Sequence, residues 1–354
     1  MKKRNIYIGW DIGGANTKYC ILNDNTIDCK IKSCELWRTT KEIQKLISEI
    51  HKKFSNKYNL INAISMSGEM CDIFPTRELG VKQILSFFNN QKSDNYVFSK
   101  NKKFIKINKN ISSDLIASMN WLAVATYLKN FNKNIIGIDL GSTTTDVLLV
   151  KNNKIFNKRK NDFTGLSSYE LIYTGCLRTP ILAIANKIKM RNKFYNVIPE
   201  NFASIADVYN VLSVIPYKYN YTNSSDNRPK TNYYSMKRLA RIFGFDYSKS
   251  HKNTILSLSK KIMSIHLSKI DYIINYHIKD KYSTIKDLKI IGIGVGRELV
   301  RRICKKNKWD YRDFMDYIDI KKKKGITSVS DVAPAFALSH LIKNEYDETK
   351  KNRL

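Results

Sequence analysis

The most constraining feature of this 354-residue chain is a phrase that it uses twice. Ile6-Tyr7-Ile8-Gly9-Trp10-Asp11-Ile12-Gly13-Gly14-Ala15-Asn16-Thr17-Lys18 runs on into Tyr19-Cys20-Ile21-Leu22 and a polar turn at Asn23-Asp24-Asn25. Asn134-Ile135-Ile136-Gly137-Ile138-Asp139-Leu140-Gly141-Ser142-Thr143-Thr144-Thr145-Asp146 runs on into Val147-Leu148-Leu149-Val150 and closes on Lys151-Asn152-Asn153. Each is a β-branched run, a Gly-containing turn, a second apolar run and a polar turn, which is the grammar of a β-hairpin with an acid ending its first strand. Both copies read Gly-x-Asp-x-Gly-x-x-x-Thr, through Gly9, Asp11, Gly13 and Thr17 and through Gly137, Asp139, Gly141 and Thr145. The offset of 128 residues from Asp11 to Asp139 is too long for a solenoid and right for a duplicated domain.

Between the hairpins, apolar residues at 43, 46, 47 and 50 follow helical spacing after an N-cap at Thr39 or Thr40. A buried strand follows at 63–66 and runs into Ser67-Gly68-Glu69; helices are predicted at 80–88 and, longer, at 114–128. After the second hairpin come a mostly apolar region at 166–184, a helix at 203–212, a polar loop at 220–234 and helices at 235–243 and 255–276. The strand 288–293 leads into Gly294-Val295-Gly296, and a small-residue helix closes the chain at 330–342. Its Ala333, Ala335, Ala337 and Ser339 would let it approach a sheet closely. The expected class is α/β, with two domains at 1–130 and 131–354 and an insertion at about 155–285 in the second.

Composition narrows the function. With 43% hydrophobic and 26% charged residues, the chain is neither disordered nor fibrous. Its 62 Lys and Arg against 31 Asp and Glu give +31, a balance that raises nucleic acid or an acidic membrane as partner. The basic residues, however, are mostly Lys scattered among Asn and Ile, and the tightest runs, 158–160 and 321–324, are short and lack interleaved aromatics. A compositional bias explains that pattern, so nucleic acid is not an expected partner, small-molecule substrates are, and a homodimer is left open. No apolar run reaches the roughly 18 to 20 residues of a membrane helix, and the basic start Met1-Lys2-Lys3-Arg4 lacks the apolar stretch of a leader because Asp11 interrupts it. A cytoplasmic protein is expected. The six cysteines form no C-x-x-C pair and no histidine stands at ligand spacing, which predicts reduced thiols and no zinc.

A tight Gly-containing turn exposes successive backbone N–H groups that can cradle phosphate oxygens. Hydroxyls and a cation add donors: Gly13, Gly14, Asn16, Thr17 and Lys18 in the first loop, Gly141, Ser142, Thr143, Thr144 and Thr145 in the second. Asp11 and Asp139, at the two strand ends, are candidate Mg²⁺ ligands, the metal offsetting phosphate charge. The plain alternative for one such loop is a hairpin ended by a solvated Asp; two matching copies argue against it.

This pattern resembles the actin, sugar kinase and Hsp70 superfamily, whose two RNase H-like halves enclose a cleft holding a phosphorylated ligand. The resemblance implies an actin-like ATPase fold, a largely helical insertion in the second half, and Gly294 and Gly296 in the place of its adenosine loop. Within the superfamily the phrases are similar to the hydantoinase and oxoprolinase A-type family, and to its branch linked to tetrahydromethanopterin-dependent C1 transfer and methanofuran biosynthesis. The matching blocks are 10–18, Met66-Ser67-Gly68-Glu69-Met70-Cys71-Asp72-Ile73-Phe74-Pro75, 139–146, Tyr173-Thr174-Gly175-Cys176-Leu177-Arg178-Thr179-Pro180, Ala206-Asp207-Val208-Tyr209 and Asp226-Asn227-Arg228-Pro229-Lys230-Thr231. One departure is Asn227, where glycine is expected before Arg-Pro-Lys-Thr.

The branch implies a transferase that joins the phenol oxygen of γ-glutamyltyramine to an aminomethyl-furanylmethyl diphosphate and releases pyrophosphate. Arg228 and Lys230 would join the phosphate ligands, and Arg178 would take a substrate carboxylate. Glu69 is the candidate base for the phenol, with Asp72 second; the plainer reading of Glu69 is an acid beside a helix N-terminus. The rival reading is an ATP-dependent kinase or amidohydrolase of the same fold, with ATP in the loops and Gly294 and Gly296 flanking adenine.

Overall fold

The computed structural model describes residues 3–23, 26–89, 92–107, 111–190, 192–216, 223–319, 322–324 and 327–351. The turn residues Asp24 and Asn25, Lys321 and the head of the polar loop at 220–222 lie outside them. In chain order the elements begin with strands β1 (Arg4–Ile12), β2 (Asn16–Asn23) and β3 (Thr26–Ser33), helix α1 (Lys41–Phe54), β4 (Tyr58–Met66), α2 (Arg77–Ser86), β5 (Asp94–Phe98), β6 (Phe104–Lys106), α3 (Ser113–Ile116) and α4 (Asn120–Leu128). The second hairpin is β7 (Ile135–Leu140) and β8 (Thr145–Lys151), followed by β9 (Lys154–Ile155), α5 (Asp162–Ser167), β10 (Leu171–Ile172) and α6 (Ile181–Ile184). Then come the small hairpin β11 (Lys187–Met190) and β12 (Lys193–Asn196), α7 (Ile205–Val211), α8 (Asn232–Arg241) and α9 (Lys252–Lys281). The chain ends with β13 (Lys289–Ile293), α10 (Arg297–Asn307), β14 (Tyr311–Asp313), β15 (Lys322–Lys324) and α11 (Ala333–Lys351). Among the described residues no helix is long and apolar enough to cross a membrane.

Contacts divide the chain into one unit of Met1–Ile135, Leu148–Glu170 and Asp313–Leu354 and another of Ile136–Val147 and Leu171–Arg312. The sequence predicts a single division at residue 130 with the C-terminus in the second domain; in the structure the last helix returns to the first unit. The reason is a close approach. A Cβ on Gly9 of β1 would run into the backbone of Ala335 and Ser339, so the small face of α11 lies directly on β1, as its alanines suggest, but on the sheet of the first hairpin.

The first unit's sheet has the order β15-β3-β2-β1-β4-β5-β6 among the described residues. β1 is antiparallel to β2 and parallel to β4. Being central, β1 is buried on both faces, so it reads as a continuous apolar run. Trp10 anchors this core, and its indole N–H donates to Asn62 Oδ1 at 2.8 Å. On α1, Ile43, Leu46, Ile47 and Ile50 are buried, the face the spacing predicts. The helix expected over 114–128 is broken into α3 and α4, because Ser118 takes a left-handed φ of 54° between them and its hydroxyl is held by Glu69. The other sheet has the order β10-β8-β7-β13-β14 among the described residues, with the first residues of β8 paired to β10. The expected helices at 203–212, 235–243 and 255–276 appear as α7, α8 and the 30-residue α9.

Candidate functional site

In the first unit, Ile12 faces Thr17 across the hairpin, and the Gly13 N–H donates to the Asn16 carbonyl at 3.1 Å to close the turn. The other loop carbonyls are held from outside. Ile12 C=O accepts from the N–H groups of Ser67 and Gly68 at 2.9 and 3.0 Å, Gly14 C=O from Leu36 at 2.9 Å, and Ala15 C=O from Cys34 at 3.1 Å. In a planar trans peptide the C=O and the following N–H point opposite ways. Anchoring the Gly14 and Ala15 carbonyls therefore turns the N–H groups of Ala15 and Asn16 away from residues 34–36. Gly13 and Gly14 are not in the left-handed region; what demands small residues is proximity. A Cβ on Gly68 would stand 2.9 Å from Gly13 C and Gly14 N, and one on Gly14 would stand 2.8 Å from Cys71 Sγ.

Around this loop the side chains supply acceptors. Asp11 is buried with its Oδ2 3.4 Å from Lys18 Nζ, its cross-strand neighbour, so the Lys18 charge is shared with an acid of the chain itself. Thr17 is wholly buried. Glu69 is wholly buried as well, and its Oε1 accepts from Arg77 Nε at 3.2 Å, Arg77 Nη2 at 3.0 Å and the Ser118 hydroxyl at 2.7 Å. Glu69 Oε2, Asn16 Oδ1 and Ser65 Oγ are buried and find no hydrogen-bond partner among the described residues. Glu69 lies in the turn after β4, ahead of α2, and α2 passes so close that a Cβ on Gly80 would meet the Glu69 carbonyl. Asp72 is exposed.

In the second unit, Gly141 N–H donates to Thr144 C=O at 2.9 Å. A strap formed by residues 174–178 then lies along the loop. Cys176 N–H donates to Gly141 C=O at 2.9 Å, and Leu177 and Arg178 N–H donate to Ser142 C=O at 3.2 and 2.9 Å. By the same peptide geometry, the N–H groups of Ser142 and Thr143 face away from the strap. A Cβ on Gly175 would stand 2.5 Å from the Ser142 carbonyl and the Thr143 nitrogen. The Ser142, Thr143 and Thr144 side chains are part-exposed. Thr145 differs from its neighbours: it is buried and its hydroxyl donates to the Thr174 carbonyl at 2.6 Å, so that proton belongs to the strap. Arg178 is half-buried.

Gly294 and Gly296 also serve this loop. Gly294 has a φ of +79°, and a Cβ there would stand 2.5 Å from Asp139 Oδ1 and 2.7 Å from Leu140 O. Gly296 N–H donates to Leu140 C=O at 2.9 Å, and a Cβ on Gly296 would meet the Leu140 side chain. The room left by these two glycines is filled by the end of β7, so that Gly294 braces Asp139 and Gly296 braces Leu140.

The loop 223–231 carries the remaining predicted cations. Asn227 adopts a φ of 53°, a left-handed conformation that asparagine tolerates better than most residues, which explains how it replaces the expected glycine. Arg228 is exposed with its guanidinium 5.8 Å from the Tyr234 ring. Lys230 is half-buried, and burial pushes its amine down to about 8, the Arg238 charge adding to the shift and Asp207 opposing it. Arg238, wholly buried on α8, pairs with Asp207 at 2.7 Å and Asp226 at 3.0 Å; burial works against its charge and the two carboxylates more than offset that. Asp226 is pulled down by the Arg228 N–H and by Arg238, against the effect of burial. The roles of Arg77, Ser118 and Arg238 had no periodic signal. Asp207 was visible only as part of a matched block.

These two loops, each carried by a hairpin with an acid at the end of its first strand, define a protein of the actin-like ATPase and sugar kinase fold. The solved structure of nucleotide-free acetone carboxylase aligns over 95% of this chain and 70% of that chain, with a TM-score of 0.58 at 10% identity, a likeness of fold. Residues 61–339 match the hydantoinase/oxoprolinase family, and the chain belongs to it. A (4-{4-[2-(γ-L-glutamylamino)ethyl]phenoxymethyl}furan-2-yl)methanamine synthase from Methanocaldococcus jannaschii is 28% identical over 346 residues, 96% of this chain and 98% of that protein. A synthase of the same description from Methanococcus vannielii is 30% identical over 229 residues, covering 64% of this chain and 97% of its own length.

Proposed function

We propose that this chain is a synthase of methanofuran biosynthesis that condenses γ-glutamyltyramine with aminomethyl-furanylmethyl diphosphate into the aryl furanylmethyl ether and releases pyrophosphate. The observation that carries this reading is the nearly end-to-end match to the M. jannaschii synthase. The loops make it chemically coherent. The bond from the furanylmethyl carbon to the diphosphate oxygen breaks, its electron pair leaving with pyrophosphate, while the phenol oxygen bonds to that carbon and gives up its proton. A furanylmethyl carbon supports positive charge, so the demand on the protein is to hold the leaving diphosphate.

The second loop has donors that meet this demand, namely the outward N–H groups of Ser142 and Thr143 and the hydroxyls of Ser142, Thr143 and Thr144. Arg228 and Lys230 add charge. In the first loop, the Ala15 and Asn16 N–H groups and Lys18 are the corresponding donors. The phenol, with a solution pKa of about 10, needs a base. Glu69 fills that role through Oε2, the oxygen that Arg77 and Ser118 leave available, and Asp72 stands second. Arg178 is assigned to the glutamyl carboxylate.

Among the described residues no cluster of three or more His, Cys, Asp or Glu side chains is arranged for a metal. Carboxylates at strand ends suit Mg²⁺ at phosphate sites, where the ion takes one or two carboxylates and completes its shell with phosphate oxygens and water. Asp139, braced by Gly294, in one loop and Asp11 in the other are each a candidate to hold it, and when bound it would offset diphosphate charge. Incubation with Mg²⁺ and both substrates, without ATP, tests the reading. Coupled appearance of pyrophosphate and the ether mass is the expected result; neither product, with ATP hydrolysed instead, would overturn it.

A further inference from the structure

Behind the second loop runs a chain of buried polar groups that the reaction above does not use. His266 of α9 and Tyr209 of α7 are almost completely buried, and buried polar groups are as a rule hydrogen-bonded. Tyr209 OH lies 2.5 Å from His266 Nδ1, and His266 Nε2 lies 3.0 Å from Thr174 Oγ1. Burial pushes the imidazole down to about 4, with Lys269 adding to the shift, and holds the Tyr209 phenol well above its usual value. Both groups are neutral in the working range. The phenol is a better donor than an aliphatic hydroxyl, so Tyr209 O–H donates to Nδ1 and Nε2–H donates to Thr174 Oγ1.

Thr174 opens the strap. Its carbonyl receives the Thr145 hydroxyl, and the Gly175 N–H that follows donates to Thr179 Oγ1 at 2.7 Å. Gly175, Cys176 and Arg178 then make the backbone contacts that turn the Gly141 and Ser142 carbonyls inward. The helix that carries Tyr209 also carries Asp207, which pairs with Arg238, and Asn210, whose Nδ2 donates to the Lys230 carbonyl at 2.8 Å. One short helix therefore references both the hydroxyl loop and the cation loop.

We infer that His266 is a positioning residue: through Thr174 it fixes the strap at 174–178, which turns the Ser142 and Thr143 N–H groups toward the diphosphate. This rests on the proposed function for the identity of the ligand, while the effect on the strap does not. The logic is that of outer-shell residues in metal and phosphate sites, whose hydrogen bonds hold the contacting groups in register.

The test pairs Thr174→Val, which keeps the shape and removes the hydroxyl, with Thr174→Ser, which keeps it; His266→Gln is the companion. Amide exchange in the ligand-free protein is read at Gly175, Cys176 and Arg178, together with calorimetric binding of pyrophosphate in Mg²⁺. For Thr174→Val we expect exchange at those amides to rise at least tenfold and pyrophosphate affinity to fall about tenfold, with the KM for γ-glutamyltyramine unmoved and the Ser variant close to the parent. His266→Gln should share the Thr174→Val changes, and wild-type exchange and binding in either variant would overturn the inference, as would equal loss in the Ser variant. Faster exchange in Thr174→Val, with no pyrophosphate binding by the parent protein, would uphold the strap mechanism and refute the proposed reaction.

Discussion

The two hairpin loops share their acid, glycine and threonine positions, yet different partners hold them. The first is backed by residues 34–36 and the turn at 67–69, and it carries the buried Asp11, paired with Lys18, and Asn16, whose Oδ1 finds no hydrogen-bond partner among the described residues. The second is backed by the strap at 174–178 and presents hydroxyls and outward N–H groups. A shared loop phrase thus sets where peptides turn, while the residues that fill it, Asn16 and Lys18 in one and Ser142, Thr143 and Thr144 in the other, set which side-chain groups each loop offers.

The comparison is open to attack from several sides. Gly175→Ala should have the largest effect, because its Cβ would meet only backbone. We expect about 3 kcal/mol of destabilisation from overpacking and about a 10²-fold loss of turnover from displacing the loop. Gly68→Ala meets backbone at longer range and the movable Leu36 side chain, so it should cost about half as much; equal losses in melting and turnover would erase the distinction between the loops.

Glu69→Gln should cut turnover about 10²-fold, in the range for loss of a general base, with the melting temperature nearly kept. Full turnover in steady-state assays would remove Glu69 from that role. Arg77→Met should destabilise by about 2 to 3 kcal/mol in urea titration, since it leaves a buried carboxylate without its cation. Combining it with Glu69→Gln should recover most of that loss.

The smallest effect concerns pH. With its folded amine at about 8, Lys230 is charged at neutral pH and loses its proton as pH rises through 8. Pyrophosphate affinity should fall severalfold between pH 7 and 9.5, and Lys230→Arg should flatten the profile. Stability moves the other way. Between about 8 and the ordinary lysine value the unfolded chain binds more protons, so Lys230 makes the fold more stable with rising pH in that window.

The hairpins, the buried β4 and the apolar face of α1 were legible because period and turn residues are local properties. The same holds for Asp11 and Asp139, each read from its place at a strand end. What escaped the sequence is non-local. Ser118 breaks a helix that its neighbours would continue, and its partner Glu69 is 49 residues away. Arg238 reads as one more basic residue on an amphipathic helix until Asp207 and Asp226 are seen on either side of it. The return of α11 to β1 could be guessed as close packing from its alanines, but nothing in them said which sheet.

That return has a consequence for synthesis. Gly9 leaves the ribosome more than 300 residues ahead of Ala335 and Ser339 on the helix that covers it. The sheet of the first unit must wait, one face bare, until α11 has been made. A nonsense mutation ahead of Ala333 would strand β1 without its cover, and holdase chaperones would be the first proteins to meet it.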